Sequence, residues 1–232
     1  MLDKAKHELV LNNIIKDVYN DRFLAPILGF KGGTAVHFFY NSPMFSTDLD
    51  FNLLDFKPIK KVFERMSKIL KKYGTIKKGW LKKNTIFLLL SYEGKSQNIK
   101  VEISTRDYGN NYKIVNYFGL PVLAMRRENM FAHKLVTITE RKKIANRDLF
   151  DIHFFLEHNW PINEEIIKIR TGKTLKEYLE DLIDFIETNI SDKNILFGLG
   201  EILDKSQKEW AKTNLKKETL FLLKVYLKNL EL

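Results

Sequence analysis

The chain has 232 residues, 44 % of them hydrophobic, enough for one large core or two small ones. It has no cysteine, which excludes disulfides and thiolate metal sites. With 39 basic and 29 acidic residues the formal net charge is +10, which favours a polyanionic partner, nucleic acid first among them. No window reaches the uncharged apolar length of a membrane span, and the N-terminal stretch MLDKAKHELVLNN has neither the apolar core nor the cleavage site of a signal peptide. A cytoplasmic protein with no membrane partner is expected.

Residues 3–20 are predicted to form an amphipathic helix with Leu9, Ile14, Ile15, Val18 and Tyr19 on its apolar side, and Pro26 marks its exit. The apolar pair Ile27-Leu28 then leads into Lys31-Gly32-Gly33-Thr34, and a short apolar helix runs from Thr34 to near Tyr40. Two glycines allow close backbone approach to a ligand, and the helix N-terminus behind them offers N–H groups to an anion such as phosphate. A strand is predicted over Asp48-Leu49-Asp50-Phe51-Asn52-Leu53. Alternation sends Leu49, Phe51 and Leu53 to a core face and Asp48, Asp50 and Asn52 to the other. The two carboxylates are then about 7 Å apart along the chain, close enough to share one or two metal ions.

After Pro58 the apolar residues Val62, Phe63, Met66, Ile69 and Leu70 predict a helix that ends at Tyr73-Gly74. Strands over Thr85–Tyr92 and Asn98–Ser104 form a hairpin around a turn at Glu93-Gly94-Lys95. In the second of them Lys100, Glu102 and Ser104 share one face, where Glu102 is either a solvent-facing acid or a further ligand. A turn at Gly119-Leu120-Pro121 is expected to end the strand region.

From Met125 the pattern is helical to the end. Arg127–Thr139 carries an apolar stripe with Lys134 at its edge, and Asn146–His158 carries Asp148 and Asp151 one turn apart on one side. Those two acids can serve as a structural ion pair with Arg147 or Arg141. Helical apolar spacing continues over Ile162–Ile169, Leu175–Ile190, Ile195–Leu203 and Leu215–Leu230, with breaks expected at Gly172, at Asn189 to Asp192 and at Gly198 to Gly200, and with Trp210 in the core or on a partner face. The five histidines show no metal-ligand spacing and are read as structural or surface groups. Basic clusters stand at Lys57-Lys60-Lys61, Lys68-Lys71-Lys72, Lys77-Lys78-Lys82-Lys83, Arg126-Arg127 and Arg141-Lys142-Lys143, mostly on the half that holds the carboxylates.

The glycine turn, the helix and the paired carboxylates of the next strand together resemble the signature of DNA polymerase beta-type nucleotidyltransferases. The wording Lys31-Gly32-Gly33-Thr34-Ala35, Ser46-Thr47-Asp48-Leu49-Asp50-Phe51, then Ile-Lys-Val-Glu-Ile-Ser over 99–104, looks like the AbiEii/AbiGii toxin branch, which includes MenT-type toxins. The run Lys134…Arg141…Arg147-Asp148-Leu149-Phe150-Asp151 resembles the lysine helix and Arg-Asp-x-x-Asp helix of the same family. One departure stands out: the family often has an arginine two residues before the serine of Ser-x-Asp-x-Asp, and here that residue is Met44.

The resemblance implies an α+β fold: a mixed sheet with flanking helices in residues 1–124, then a helical region, 125–232, that completes the active site. It implies an NTP-dependent transferase in which Asp48, Asp50 and Glu102 hold Mg²⁺, or Mn²⁺ in its place. Lys31, Gly32, Gly33, Thr34, Ser46 and Lys134 would bind the nucleotide, and Lys134, Asp148 and Asp151 would take part in turnover. The acceptor implied is tRNA or another structured RNA, with the tRNA 3′ end first, and a cognate antitoxin is an implied partner. Two other readings stand beside it: a small-molecule, antibiotic-type nucleotidyltransferase, and a non-catalytic binding module.

Overall fold

The computed structural model describes residues 3–55, 58–92, 97–141, 143, 145–200 and 202–230. The turn expected at Glu93-Gly94-Lys95, and Lys57 and Lys142 of the basic clusters, lie outside the described residues. The chain forms two compact units. The first comprises Met1–Asn41, Phe45–Asp107 and Asn111–Met125, and the second Ser42–Met44, Tyr108–Asn110 and Arg126–Leu232.

The first unit contains α1 (Lys4–Asn20), β1 (Leu28–Lys31), α2 (Gly32–Tyr40), β2 (Leu49–Leu53), α3 (Ile59–Leu70), β3 (Thr75–Lys82), β4 (Thr85–Tyr92), β5 (Gln97–Ser104), β6 (Tyr112–Tyr117) and β7 (Leu120–Met125). The strands form one seven-stranded mixed sheet in the order β3-β4-β5-β2-β1-β7-β6. Strands β2 and β5 run parallel, as do β1 and β7; the other neighbours are antiparallel. The registers Phe30↔Phe51↔Ile103 and Leu49↔Val101↔Leu88 put two rows of apolar side chains across the centre of the sheet. All of them are buried. On this face α3 meets β3 and β4, where a Cβ on Gly79 would touch Leu88 and Phe63. Helix α1 is tied down by Tyr19, whose hydroxyl donates to the Leu28 and Leu123 carbonyls at 2.9 and 3.0 Å. The ring of Phe39 on α2 packs edge-on against Phe30 at 5.8 Å. The opposite face holds the polar members of β2 and β5.

Three parts of the first unit depart from the sequence-based expectation. Thr75–Lys82 is an edge strand, and Tyr112–Tyr117 is the other edge. Both are largely exposed, so neither shows the buried alternation that marks an inner strand. The hairpin turn lies at Phe118-Gly119, both at positive φ, and Leu120 already opens β7. Pro121 is tolerated there because β7 meets β1 only at Phe30↔Ala124 and the proline needs no ladder bond to that side.

The second unit is helical: α4 (Arg127–Glu140), α5 (Asn146–Glu157), α6 (Glu164–Thr171), α7 (Leu175–Asn189), α8 (Lys205–Trp210) and, after a π-helical turn over Ala211–Leu215, α9 (Lys216–Asn229). Helix α5 is apolar around most of its circumference and is buried from Asp148 to Leu156, as expected for a central helix. Its Phe155 stacks on Trp160 at 4.3 Å and meets Phe131 of α4 edge-on at 5.3 Å. Helix starts are capped at Asn163, Thr174 and Asp204, the latter two as capping boxes. Among the described residues the helix expected over Ile195–Leu203 does not form. A 3₁₀ turn at Asp192–Asn194 is followed by turns, with Gly198 at φ 79°, and the last long helix begins earlier, at Lys205.

Candidate functional site

The polar face of the sheet in the first unit gathers the residues singled out in sequence. Register pairs Lys31 with Asp50 and Asp50 with Glu102, so these three side chains lie in one lateral row across β1, β2 and β5. Adjacent strands are about 4.8 Å apart, which places the Asp50 and Glu102 carboxylates side by side. Asp48 stands one step outside β2, next to Lys100 of β5.

Lys100 is the residue that sequence reasoning missed. Its Nζ lies 3.4 Å from Oδ2 of Asp48 and 3.8 Å from Oε2 of Glu102, and its backbone N–H donates to Oδ1 of Asp48 at 3.4 Å. The alternation of β5 already puts Lys100 on the face of Glu102, but nothing in sequence says that its side chain folds back among the acids. Burial pushes the Asp50 carboxyl above the usual carboxylate range; Lys100 and Lys31 oppose this, and Asp48 and Glu102 add to it. Burial alone would lower the Lys100 ammonium, but Asp50, Asp48 and Glu102 together hold it above its ordinary value.

The glycine turn faces the same row. Gly32 has φ 81°, and a Cβ there would lie 2.5 Å from Oδ2 of Asp50. A residue at this point must therefore be glycine on two counts, left-handed backbone and contact with a carboxylate. A Cβ on Gly33 would lie 3.0 Å from Oγ of Ser46. Thr34, expected among the nucleotide-binding residues, has its hydroxyl turned inward. It donates to the Asp48 carbonyl and lies 2.8 Å from Oγ of Ser46. Thr34 and Ser46 thereby lock the turn to the loop that presents Asp48. No side chain caps the start of α2, which leaves backbone N–H groups of the first turn as the anion-facing element. Met44, at the position where the resembled family often has arginine, is buried.

In the second unit Lys134 lies between two acids of α5. Its Nζ is 2.7 Å from Oδ1 of Asp148 and 2.8 Å from Oδ2 of Asp151, and Arg141 Nε pairs with the other oxygen of Asp148. Asp148 and Asp151 are 0 % and 2 % exposed. Burial would raise the Asp148 carboxyl, but Lys134 and Arg141 hold it below its ordinary value. Asp151 goes the other way, pushed up by burial against the pull of Lys134. Burial would lower Lys134, yet the two carboxylates keep it well above its ordinary value. The expected ion pair therefore forms with Arg141 and Lys134, and Lys134 is no surface lysine: it neutralises two buried charges.

The histidines behave as structural groups. His7, for example, is buried, with Nδ1 2.5 Å from the Tyr92 hydroxyl and Nε2 3.0 Å from the Thr47 carbonyl. Among the described residues no group of three or more acidic or histidine side chains is gathered as a ready metal-binding cluster. The donor set on the sheet nevertheless suits a hard divalent cation. It offers three carboxylates on one face, two of them in register, around a glycine that leaves room at Asp50. No described helix is long and apolar enough to cross a membrane.

The chain covers 97 % of a presumed nucleotidyltransferase from Helicobacter pylori over 100 % of its own length, with a TM-score of 0.66 and 21 % identity. It matches JHP933 from Helicobacter pylori over 100 % of this chain and 94 % of that one, with a TM-score of 0.65 and 22 % identity. At that identity the likeness is one of fold. No curated protein matches. The model of the AbiEii nucleotidyl transferase toxin family, type IV toxin–antitoxin system, matches residues 14–216. The chain therefore belongs to the AbiEii nucleotidyltransferase toxin family.

Proposed function

We propose that this nucleotidyltransferase is the toxin of its toxin–antitoxin pair, and that it transfers nucleotides from an NTP to the 3′ end of a structured RNA, tRNA first, in a Mg²⁺-dependent reaction that blocks translation. The observation that carries the chemistry is the row Lys31–Asp50–Glu102 with Asp48 beside it, facing the N-terminus of α2. Asp48, Asp50 and Glu102 are the residues that would hold the cation, Mg²⁺ or Mn²⁺. When bound, it supplies charge neutralisation to the triphosphate and lowers the pKa of the attacking hydroxyl.

The rest falls to the chain itself. The hydroxyl oxygen attacks the α-phosphorus, its bond forms as the bond to the leaving pyrophosphate breaks, and the hydroxyl proton passes to solvent water. Backbone N–H groups of Gly33 and Thr34, with the helix end behind them, receive phosphate oxygens. Lys31 adds positive charge on the same row. Lys134, Asp148 and Asp151 enter this reading as a second group required for turnover. The RNA acceptor is supported by the net charge of +10 and by the lysines of β3, both of which a small-molecule acceptor leaves unexplained.

The test is transfer of labelled nucleotide to total tRNA by the wild type and by Asp48→Ala, Asp50→Ala and Glu102→Ala. Each variant is expected to stay folded and to lose transfer. Normal turnover by Glu102→Ala would remove the third ligand and leave the metal to Asp48 and Asp50. Transfer to a small alcohol or antibiotic, with no RNA labelled, would put the small-molecule reading first.

A further inference from the structure

The row that holds the carboxylates does not stop at β5. Glu102 is in register with Phe87 of β4, and Phe87 with Trp80 of β3. Asp50, Glu102, Phe87 and Trp80 therefore lie side by side on one face of four adjacent strands, and the span from Asp50 to Trp80 is roughly 14 Å at the usual strand spacing. Trp80 and Phe87 stack with centroids 4.6 Å apart and planes 7° from parallel. The Lys82 ammonium lies 4.7 Å from the centre of the Trp80 ring. The next rows on the same face add Lys78, opposite Leu89, and Lys82, opposite Thr85. Both lysines are exposed, as is Lys83 at the strand end.

We propose that Trp80 and Phe87 form a stacking platform for an unpaired base near the 3′ end of the nucleic-acid acceptor, with Lys78 and Lys82 on its phosphates. The inference rests on the RNA-acceptor reading above and adds the place where that strand lies. Flat aromatic faces beside basic side chains are what a single strand requires, because every base offers a π-face and every nucleotide a phosphate. A base stacking on the indole takes over the weak contact of Lys82 with the ring, and the flexible ammonium moves out to a phosphate. Lysines on an edge strand also guard against edge-to-edge pairing, and a cross-strand aromatic pair also stabilises a sheet. Neither role explains why both features share the row of Asp50 and Glu102, which leads a strand lying there toward the carboxylates.

The test is binding of a fluorescently labelled 12-nucleotide single-stranded RNA, read by anisotropy at low salt. The proteins compared are the wild type, Trp80→Ala, Trp80→Leu and Trp80→Phe, with melting curves to confirm folding. Trp80→Leu keeps an apolar cover on the strand but removes the π-face. Loss of one stacked base predicts binding weakened by about tenfold or more in Trp80→Ala and Trp80→Leu, largely kept in Trp80→Phe, with NTP affinity unchanged in all. Wild-type affinity in folded Trp80→Leu would overturn the platform while leaving the RNA reading intact. So would a wild type that labels tRNA but does not bind the oligonucleotide. A wild type that neither binds nor labels any RNA would remove both.

Discussion

The Lys100 ammonium lies 3.4 Å from Oδ2 of Asp48, inside the row of acids expected to take a divalent cation. It supplies the positive charge that Asp48, Asp50 and Glu102 need in the free protein, and an incoming cation competes with it. Lys100→Met is therefore expected to melt at lower temperature without metal and to gain more from added Mn²⁺. The midpoint of the metal-induced rise should move to lower concentration by about tenfold, equivalent to about 1.4 kcal/mol. The measurement is a melting titration with Mn²⁺. An unchanged midpoint would show that Lys100 and the cation do not share the carboxylates.

Gly32 is expected to resist substitution. Alanine there meets Oδ2 of Asp50 at 2.5 Å and must adopt φ 81°. Strain of this kind costs about 1–3 kcal/mol. Gly32→Ala should lower the melting temperature and displace Asp50, so turnover falls more than stability does. Gly33→Ala meets only the Ser46 side chain, at 3.0 Å, and should be milder on both counts. Equal effects at the two positions would remove the special role of Gly32.

Lys134→Ala is expected to damage fold and turnover together. It leaves Asp148 and Asp151 buried, with Arg141 still on Asp148 alone. Breaking a buried pair in this way costs about 3–5 kcal/mol. Lys134→Arg keeps the charge and should retain most of the stability. A turnover loss of about a hundredfold or more in folded Lys134→Arg would mark a role beyond neutralising the two acids. The pH dependence follows from Asp148. Its folded carboxyl is held below its ordinary value, so its contribution is present above the unfolded pKa and lost as pH falls through the folded one. Acid titration of the melting temperature should show this loss in the wild type and less of it in Asp148→Asn.

RNA affinity is expected to fall steeply with salt. Each phosphate neutralised on a single strand contributes a slope of about −0.7 in log K against log salt. Lys77→Glu with Lys78→Glu, on exposed positions of β3, should weaken tRNA binding and flatten that slope without changing NTP affinity. Gel shifts of labelled tRNA at two salt concentrations measure both. Salt-independent binding would point away from a phosphate-tracking surface.

The placing of the carboxylates on one face was legible in sequence because its signal is local. Alternation along Asp48–Leu53 and Gln97–Ser104 fixes which residues share a face, and Thr85–Tyr92 shows a buried period of two. Edge strands were not legible. Thr75–Lys82 buries almost nothing, so its composition reads as a basic loop, and the place of Trp80 beside Phe87 and Glu102 depends on pairings between strands. Lys100 among the acids and Lys134 between Asp148 and Asp151 are choices of side-chain direction, which neither spacing nor charge pattern encodes. The failed helix over Ile195–Leu203 has a local cause in the left-handed Gly198, which outweighs the apolar spacing.

The most direct measurement is intact-mass analysis of tRNA after incubation with purified protein, Mg²⁺ and each NTP in turn. Wild-type protein is expected to add one or a few nucleotides to the tRNA 3′ end with at least one NTP, and Asp50→Ala is expected to add none. Unchanged tRNA mass with all four NTPs, from folded protein that consumes NTP on another acceptor, would contradict RNA nucleotidyl transfer.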